Sequence, residues 1–162
     1  MIEILTTGGT IDKVYFDALS EFQIGDPAVE FVLGQAGVET EHTLRRLMSK
    51  DSLELTDDDR TAIRDAVAQS EARRILITHG TDTMAKTAAA IEDAALAVGK
   101  TVVLTGAMQP ARMAQTDAVF NLGFAWGVMQ TLGPGVYIAM NGRVFEAGHV
   151  RKNRDAGRFE SA

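Results

Sequence analysis

The chain has 162 residues, enough for one domain to bury a full core, and its 46% hydrophobic and 23% charged residues are in globular proportion. A net charge of −6 opposes both a nucleic-acid footprint and attraction to anionic membranes, and the lack of cysteine excludes disulfides and thiolate metal sites. The three histidines (His42, His79, His149) lie far apart, with no H-x-x-x-H pair, so no metal site is expected. The chain starts Met1-Ile2-Glu3 and enters an apolar run directly, which does not read as a signal peptide. The longest mostly apolar stretch, residues 119–129, is too short to span a bilayer, so a cytoplasmic protein is expected.

Residues 2–5 predict a buried first strand. Asp26-Pro27 has the form of an N-cap followed by Pro at the first helical position, opening a helix that runs to about Gln35, before Gly37. Residues 40–47 alternate loosely, as a strand can. Thr56 is placed to cap the next helix, with Asp57, Asp58 and Asp59 favouring its positive end, and Ile63, Ala66, Val67 and Ser70 fall on one face. R-I-L-I-T at 74–78 predicts a strand, 83–98 an alanine-rich helix ended by Gly99, and T-V-V-L-T at 101–105 a third strand. A helix over 116–132 stops at Gly133-Pro134-Gly135, and a strand over 136–140 turns at Asn141-Gly142 into 143–146. From Gly148 the tail is polar and basic, with no core pattern.

Strand and helix alternate and the strands are continuously apolar. The expected fold is therefore α/β: an open, mostly parallel sheet of flavodoxin-like or Rossmann-like layering, with helices on both faces. No repeat or linker divides the chain, so residues 1–162 are expected to form a single domain. Ligands of such sheets bind beyond the carboxyl ends of the strands. The loops there are Thr7-Gly8-Gly9-Thr10, His79-Gly80-Thr81-Asp82-Thr83, Gly106-Ala107-Met108-Gln109-Pro110 and Asn141-Gly142.

Each loop taken alone has more than one reading. T-G-G-T is a plain glycine turn with threonine caps, a threonine nucleophile beside backbone N–H donors, or a phosphate loop, the last opposed by the lack of a cation beyond Lys13. H-G-T-D-T is a helix start capped by Thr81 or Asp82, or a reactive hydroxyl beside a carboxylate that could hold a substrate ammonium. His79 by itself reads as a packed loop residue rather than a base.

Taken together the motifs narrow the choice. T-G-G-T-I at 7–11, I-T-H-G-T-D-T at 77–83 and V-V-L-T-G-A-M-Q-P at 102–110 occur in the order and spacing of the bacterial-type L-asparaginases, a family this chain resembles. The likeness continues through Thr116-Asp117-Ala118-Val119-Phe120-Asn121-Leu122, Met140-Asn141 and Val150-Arg151-Lys152. It covers this whole chain but only about the first half of a usual member, so the family's carboxy-terminal domain is expected to be absent. The resemblance implies Thr10 as nucleophile, Thr81 as the second essential threonine, Asp82 as the carboxylate for the substrate ammonium and Lys152 as the group activating Thr81. It also implies Ser49, in Met48-Ser49-Lys50-Asp51, as the holder of the α-carboxylate, with Lys50 beside it and Gly9, Gly80 and Ala107 giving backbone contacts. A threonine hydroxyl needs a neighbouring base, and a lysine serves there only as the neutral amine.

Two departures stand out. Phe22 falls where the family has a loop tyrosine, and phenylalanine cannot relay a proton; Tyr15 is the candidate replacement. The second is the missing domain, which in the family supplies an acidic residue to a neighbouring subunit's site, so a homo-oligomer is expected. The implied activity is hydrolysis of L-asparagine to L-aspartate and ammonia without metal or cofactor. The alternative is a degenerate amino-acid-binding module that has lost turnover.

Overall fold

The computed structural model describes residues 1–162. In chain order its elements are β1 (Ile2–Thr6), the hairpin strands β2 (Lys13–Phe16) and β3 (Glu21–Ile24), α1 (Val29–Gln35), β4 (His42–Arg46), α2 (Asp57–Gln69) and β5 (Arg74–Thr78). There follow α3 (Met84–Ala97), β6 (Thr101–Thr105), α4 (Ala118–Met129), β7 (Gly135–Met140), β8 (Arg143–Glu146), β9 (Val150–Asn153) and β10 (Arg158–Ser161). No helix is long and apolar enough to cross a membrane.

The main sheet runs β4-β1-β5-β6-β7-β8, parallel except for β8. Counting only its own strands, the order is 2-1-3-4-5-6, the flavodoxin-like winding expected, with the switch point between β1 and β5. Strands buried on both faces explain the continuous apolar runs: Ile75, Leu76, Ile77, Val102, Val103 and Leu104 are all inaccessible to solvent. Alternate residues feed two cores, one under α2 and α3 and one under α1 and α4. Each fully buried Leu or Ile contributes about 1.5–3 kcal/mol of transfer free energy, so these strands anchor the loops at their ends.

Local chemistry sets the helix boundaries. Thr56 and Asp59 form a reciprocal capping box at the start of α2. Lys100, almost fully buried, donates to the Val67, Ala68 and Ser70 carbonyls at the end of the same helix. The Asn141-Gly142 turn joins β7 to β8 with both residues at positive φ (55° and 71°), as a two-residue hairpin requires.

Three regions depart from the sequence expectations. The helix expected from Asp26-Pro27 begins at Val29 instead, and no side chain of the 26–28 segment caps it. The carboxylate of Asp12, sixteen residues upstream, accepts from the Ala28 N–H, while Asp26 turns outward to Arg46. Residues 13–24 form a hairpin that carries little burial and hence gave no apolar pattern. The tail after Gly148 is a second hairpin, β9–β10, whose Val150 and Phe159 enter the α2/α3 core. One core residue per strand is too sparse a pattern to read.

Candidate active site

The site lies at the switch point, where the loops after β1 and β5 meet backbone to backbone. Gly9 is at φ +91°, and a Cβ there would fall 2.5 Å from Gly80 Cα. A Cβ on Gly80 would fall 2.6 Å from Ser52 Cβ, and one on Gly8 2.7 Å from Lys50 N. Gly106 presses in the same way on the His79 carbonyl. The 7–10, 49–52, 79–83 and 106–109 segments therefore converge because glycine lets their main chains touch. Two hydrogen bonds lock the arrangement: Thr7 N to the Thr78 carbonyl (3.1 Å) and Lys50 N to the Thr7 carbonyl (3.0 Å). Thr10 and Thr81 each follow a touching glycine by one residue.

Thr81, Asp82 and Lys152 are in direct contact. Lys152 Nζ donates to Thr81 Oγ1 at 2.7 Å and to Asp82 Oδ1 at 2.9 Å, although about 70 residues separate lysine from carboxylate. Thr81 is buried, and its hydroxyl otherwise approaches only Met108 Sδ (3.7 Å), a weak acceptor. Neither Thr81 nor Asp82 caps α3; the N-cap residue is Thr83, whose hydroxyl donates to the Ser52 carbonyl. Arg154 also reaches Asp82 Oδ1 (3.2 Å), and no hydrogen bond ends on Oδ2. Asp82 thus keeps acceptor capacity for a further cationic partner.

Lys152 is held by the hairpin that sequence patterning missed. Phe159 is its cross-strand partner and is buried beside it. The Phe159 N–H donates to Asn141 Oδ1, the Asn141 N–H donates to Asn121 Oδ1, and Asn121 Nδ2 donates to the Gly106 carbonyl and to Asp117. Asp117 in turn accepts from the Met108 and Gln109 N–H groups. One polar chain therefore joins the 106–109 loop to the strand opposite Lys152. A cleft of about 350 Å³ opens along β9 and β10, lined by Lys152, Asn153, Arg154 and Glu160 among others.

The remaining candidates are placed as follows. Thr10 opens a 3-10 turn (Thr10–Asp12), half-buried, and its hydroxyl makes no hydrogen bond. Ser49 is exposed and accepts from Arg46 (2.9 Å). The Lys50 ammonium is committed to both oxygens of Asp59 (2.9 Å each) rather than left open toward the loops. Ala107 is buried, with its methyl in the α1/α4 core. Tyr15 and Phe22 are cross-strand partners on the first hairpin, half-exposed, with ring centroids 5.4 Å apart. No three His, Asp or Glu side chains converge as metal ligands would.

Two buried ionisable groups frame the site. Burial pushes Asp12 up to about 6, against the lowering effect of the Ala28 N–H and of Arg112 and Arg46. Burial pushes His79 down to about 4, against its hydrogen bond to the Gly80 carbonyl. Its Nδ1 lies 2.7 Å from that carbonyl and its Nε2 2.9 Å from Thr87 Oγ1, so a neutral ring with Nδ1–H satisfies both. His79 ties the loop to α3 and faces no open space. Sequence reading missed Asp12, Arg46 and Arg154: the first sits in an apolar stretch, and the two arginines look like ordinary solvated charges.

The family profile "Asparaginase, N-terminal" matches residues 1–161. The chain belongs to the asparaginase family. An L-asparaginase from Thermococcus kodakarensis is 31% identical over 163 residues, spanning 95% of this chain and 48% of the relative. The solved structure of the thermostable L-asparaginase from the same organism superposes with a TM-score of 0.82 at 28% identity, covering 99% of this chain and 50% of the other. A probable cytoplasmic L-asparaginase from Campylobacter jejuni gives a TM-score of 0.78 at 26% identity, over 99% of this chain and 51% of the other. The chain thus spans about half the length of the relatives it matches.

Proposed function

We propose that the chain hydrolyses the side-chain amide of L-asparagine, giving L-aspartate and ammonia through an acyl-threonine intermediate. The observation that carries this reading is the Thr81–Lys152–Asp82 contact, seated beside the Gly9–Gly80 junction that leads to Thr10. Thr10 Oγ1 attacks the amide carbon while its proton passes to the leaving nitrogen. The C–N bond breaks, ammonia departs and an aspartyl ester remains on Thr10. Lys152 activates the Thr81 hydroxyl, and Thr81 then activates the water that opens the ester and restores the Thr10 hydroxyl. Backbone N–H groups of the glycine loops stabilise the tetrahedral oxyanion. Asp82 Oδ2 receives the substrate ammonium and Ser49 the α-carboxylate. No metal or organic cofactor takes part.

We place this activity in the cytoplasm and in a homo-oligomer. Self-association would cover exposed apolar side chains such as Phe120 (62% exposed) and Val119 (50%) on α4, a helix without a charged residue. Light scattering tests the assembly: a fully active monomer would contradict it.

One observation favours the alternative of a binding module. The family resemblance puts Phe22 where a loop tyrosine is expected, and Tyr15 is its cross-strand partner on the hairpin. An ammonia-release assay with L-asparagine, L-glutamine and D-asparagine separates the two readings. Release from L-asparagine supports the enzyme; binding of L-aspartate with no release from any of the three supports the module.

A further inference from the structure

We propose that Arg46 is the cation that selects the substrate's α-carboxylate, acting with and through Ser49; this rests on the amino-acid pocket described above. Arg46 ends β4 in register with Thr6, so its backbone stands beside the point where the T-G-G-T loop leaves β1. Its guanidinium makes three contacts: Ser49 Oγ at 2.9 Å, the Gly25 carbonyl at 3.4 Å and Asp26 Oδ1 at 3.2 Å.

The direction of the first bond matters. A guanidinium only donates, so Ser49 Oγ is the acceptor and its own O–H remains free to donate outward. A lone serine offers a carboxylate one neutral hydrogen bond, which is little against the loss of that carboxylate's hydration. A serine backed by a full positive charge offers a charge-assisted site. Of the other nearby cations, Lys50 holds Asp59 and Lys13 holds Asp51, while Arg112 donates to the Asp26 carbonyl and lies over the Phe31 ring. Arg46 is paired only with Asp26, whose side chain is 89% exposed. Such an exposed pair contributes little, so an arriving carboxylate can take over the guanidinium at small cost.

The competing account makes Arg46 a tie for the first hairpin, through Gly25 and Asp26. Asp26→Asn weakens that tie and leaves the Ser49 contact in place, so the two accounts separate. The test is calorimetric binding of L-aspartate and of β-alanine, the same molecule without the α-carboxylate, to the wild-type chain, R46Q, R46K and D26N. We expect the wild type to prefer L-aspartate and R46Q to weaken L-aspartate by roughly 10- to 100-fold with little change for β-alanine. R46K should recover part of the preference and D26N should keep it. Equal weakening of both ligands by R46Q, an unchanged preference in R46Q, a D26N variant that behaves like R46Q, or a wild type without preference would each overturn the proposal. Ammonia release from L-asparagine by the same wild-type sample keeps the two claims apart. Release with no loss of preference in R46Q sinks Arg46 alone, whereas lost preference without release sinks only the turnover.

Discussion

The two sides of the site are built differently. On the β5–β6 side, Thr81 is buried, His79 is sealed into the loop, and Lys152 reaches Thr81 and Asp82 in short hydrogen bonds fixed by the Asn121–Asn141–Phe159 chain. On the β1 side, Thr10 makes no side-chain hydrogen bond and is followed by a hairpin that exposes Tyr15 (53%), Leu19 (57%) and Phe22 (50%). That hairpin is anchored at its base, where Gly25 N–H donates to the Asp12 carbonyl and Ala28 N–H to the Asp12 carboxylate. The contrast teaches a division of labour. Under the proposed mechanism the groups that would handle protons are pre-positioned by packing, whereas the proposed nucleophile, Thr10, is held by no side-chain hydrogen bond.

The sharpest way to break this division is to remove one reacting group from each side. Thr10→Ala, Thr81→Ala and Lys152→Met should each lower kcat for L-asparagine by about a thousandfold or more, the scale of losing a member of a coupled catalytic set. Lys152→Met should leave the fold intact, because thermal unfolding is set by the two cores. A Thr10→Ala variant with turnover within tenfold of wild type would remove the β1 side from the chemistry.

Phe159→Ala tests whether the fixed side depends on its hidden anchor. The ring is 1% exposed and lies opposite Lys152, so its truncation should cost about 3–5 kcal/mol in urea unfolding. A loss below 1 kcal/mol would show that β9 and β10 do not hold the lysine as described.

Each side of the site also holds one buried ionisable group, Asp12 and His79. Asp12 is raised from 3.8 to about 6, so the fold holds its proton more tightly than the unfolded chain does. Its contribution is present below pH 3.8 and lost as pH rises through 6. His79 is lowered from 6.5 to about 4, so its contribution is present above pH 6.5 and lost as pH falls through 4. Each is worth roughly 3 kcal/mol, and between about pH 4 and 6 they act in opposite directions. The wild-type profile should therefore be nearly flat in that window. Asp12→Asn, which keeps an acceptor for the Ala28 N–H, should instead gain stability as pH rises, matching wild type near pH 4 and exceeding it by up to about 3 kcal/mol above pH 6. Parallel profiles in urea unfolding would contradict the assignment for Asp12.

The smallest expected effect concerns the exposed aromatic pair. Tyr15→Phe should lower kcat about tenfold if its phenol relays the nucleophile's proton, and Phe22→Tyr in that background should restore most of the loss. Equal rates in all three chains would confine the pair to packing.

How much of this was legible in the sequence follows the same contrast. The strands ending at Thr78 and Thr105 were readable because burial on both faces leaves unbroken apolar runs, and the glycine-rich loops mark where they end. The capping box at Thr56 and the Asn141-Gly142 turn were readable because their chemistry is local. The Asp12 bond to Ala28, just before α1, was not, since a partner supplied from sixteen residues away leaves no local pattern. Phe159 was hidden because a hairpin with one core residue per strand looks like a solvated tail. At the site, motif order pointed to Thr10, Thr81, Asp82 and Lys152, but the contacts of Arg46 with Ser49 and of Arg154 with Asp82 exist only in the folded chain.

The most direct measurement is acid quenching of the chain during turnover of L-asparagine, followed by peptide mass mapping. The account predicts an aspartyl ester on Thr10, which should accumulate in Lys152→Met, where its hydrolysis is slowed. An ester on Thr81 instead, or steady ammonia release with no covalent adduct in either chain, would contradict it.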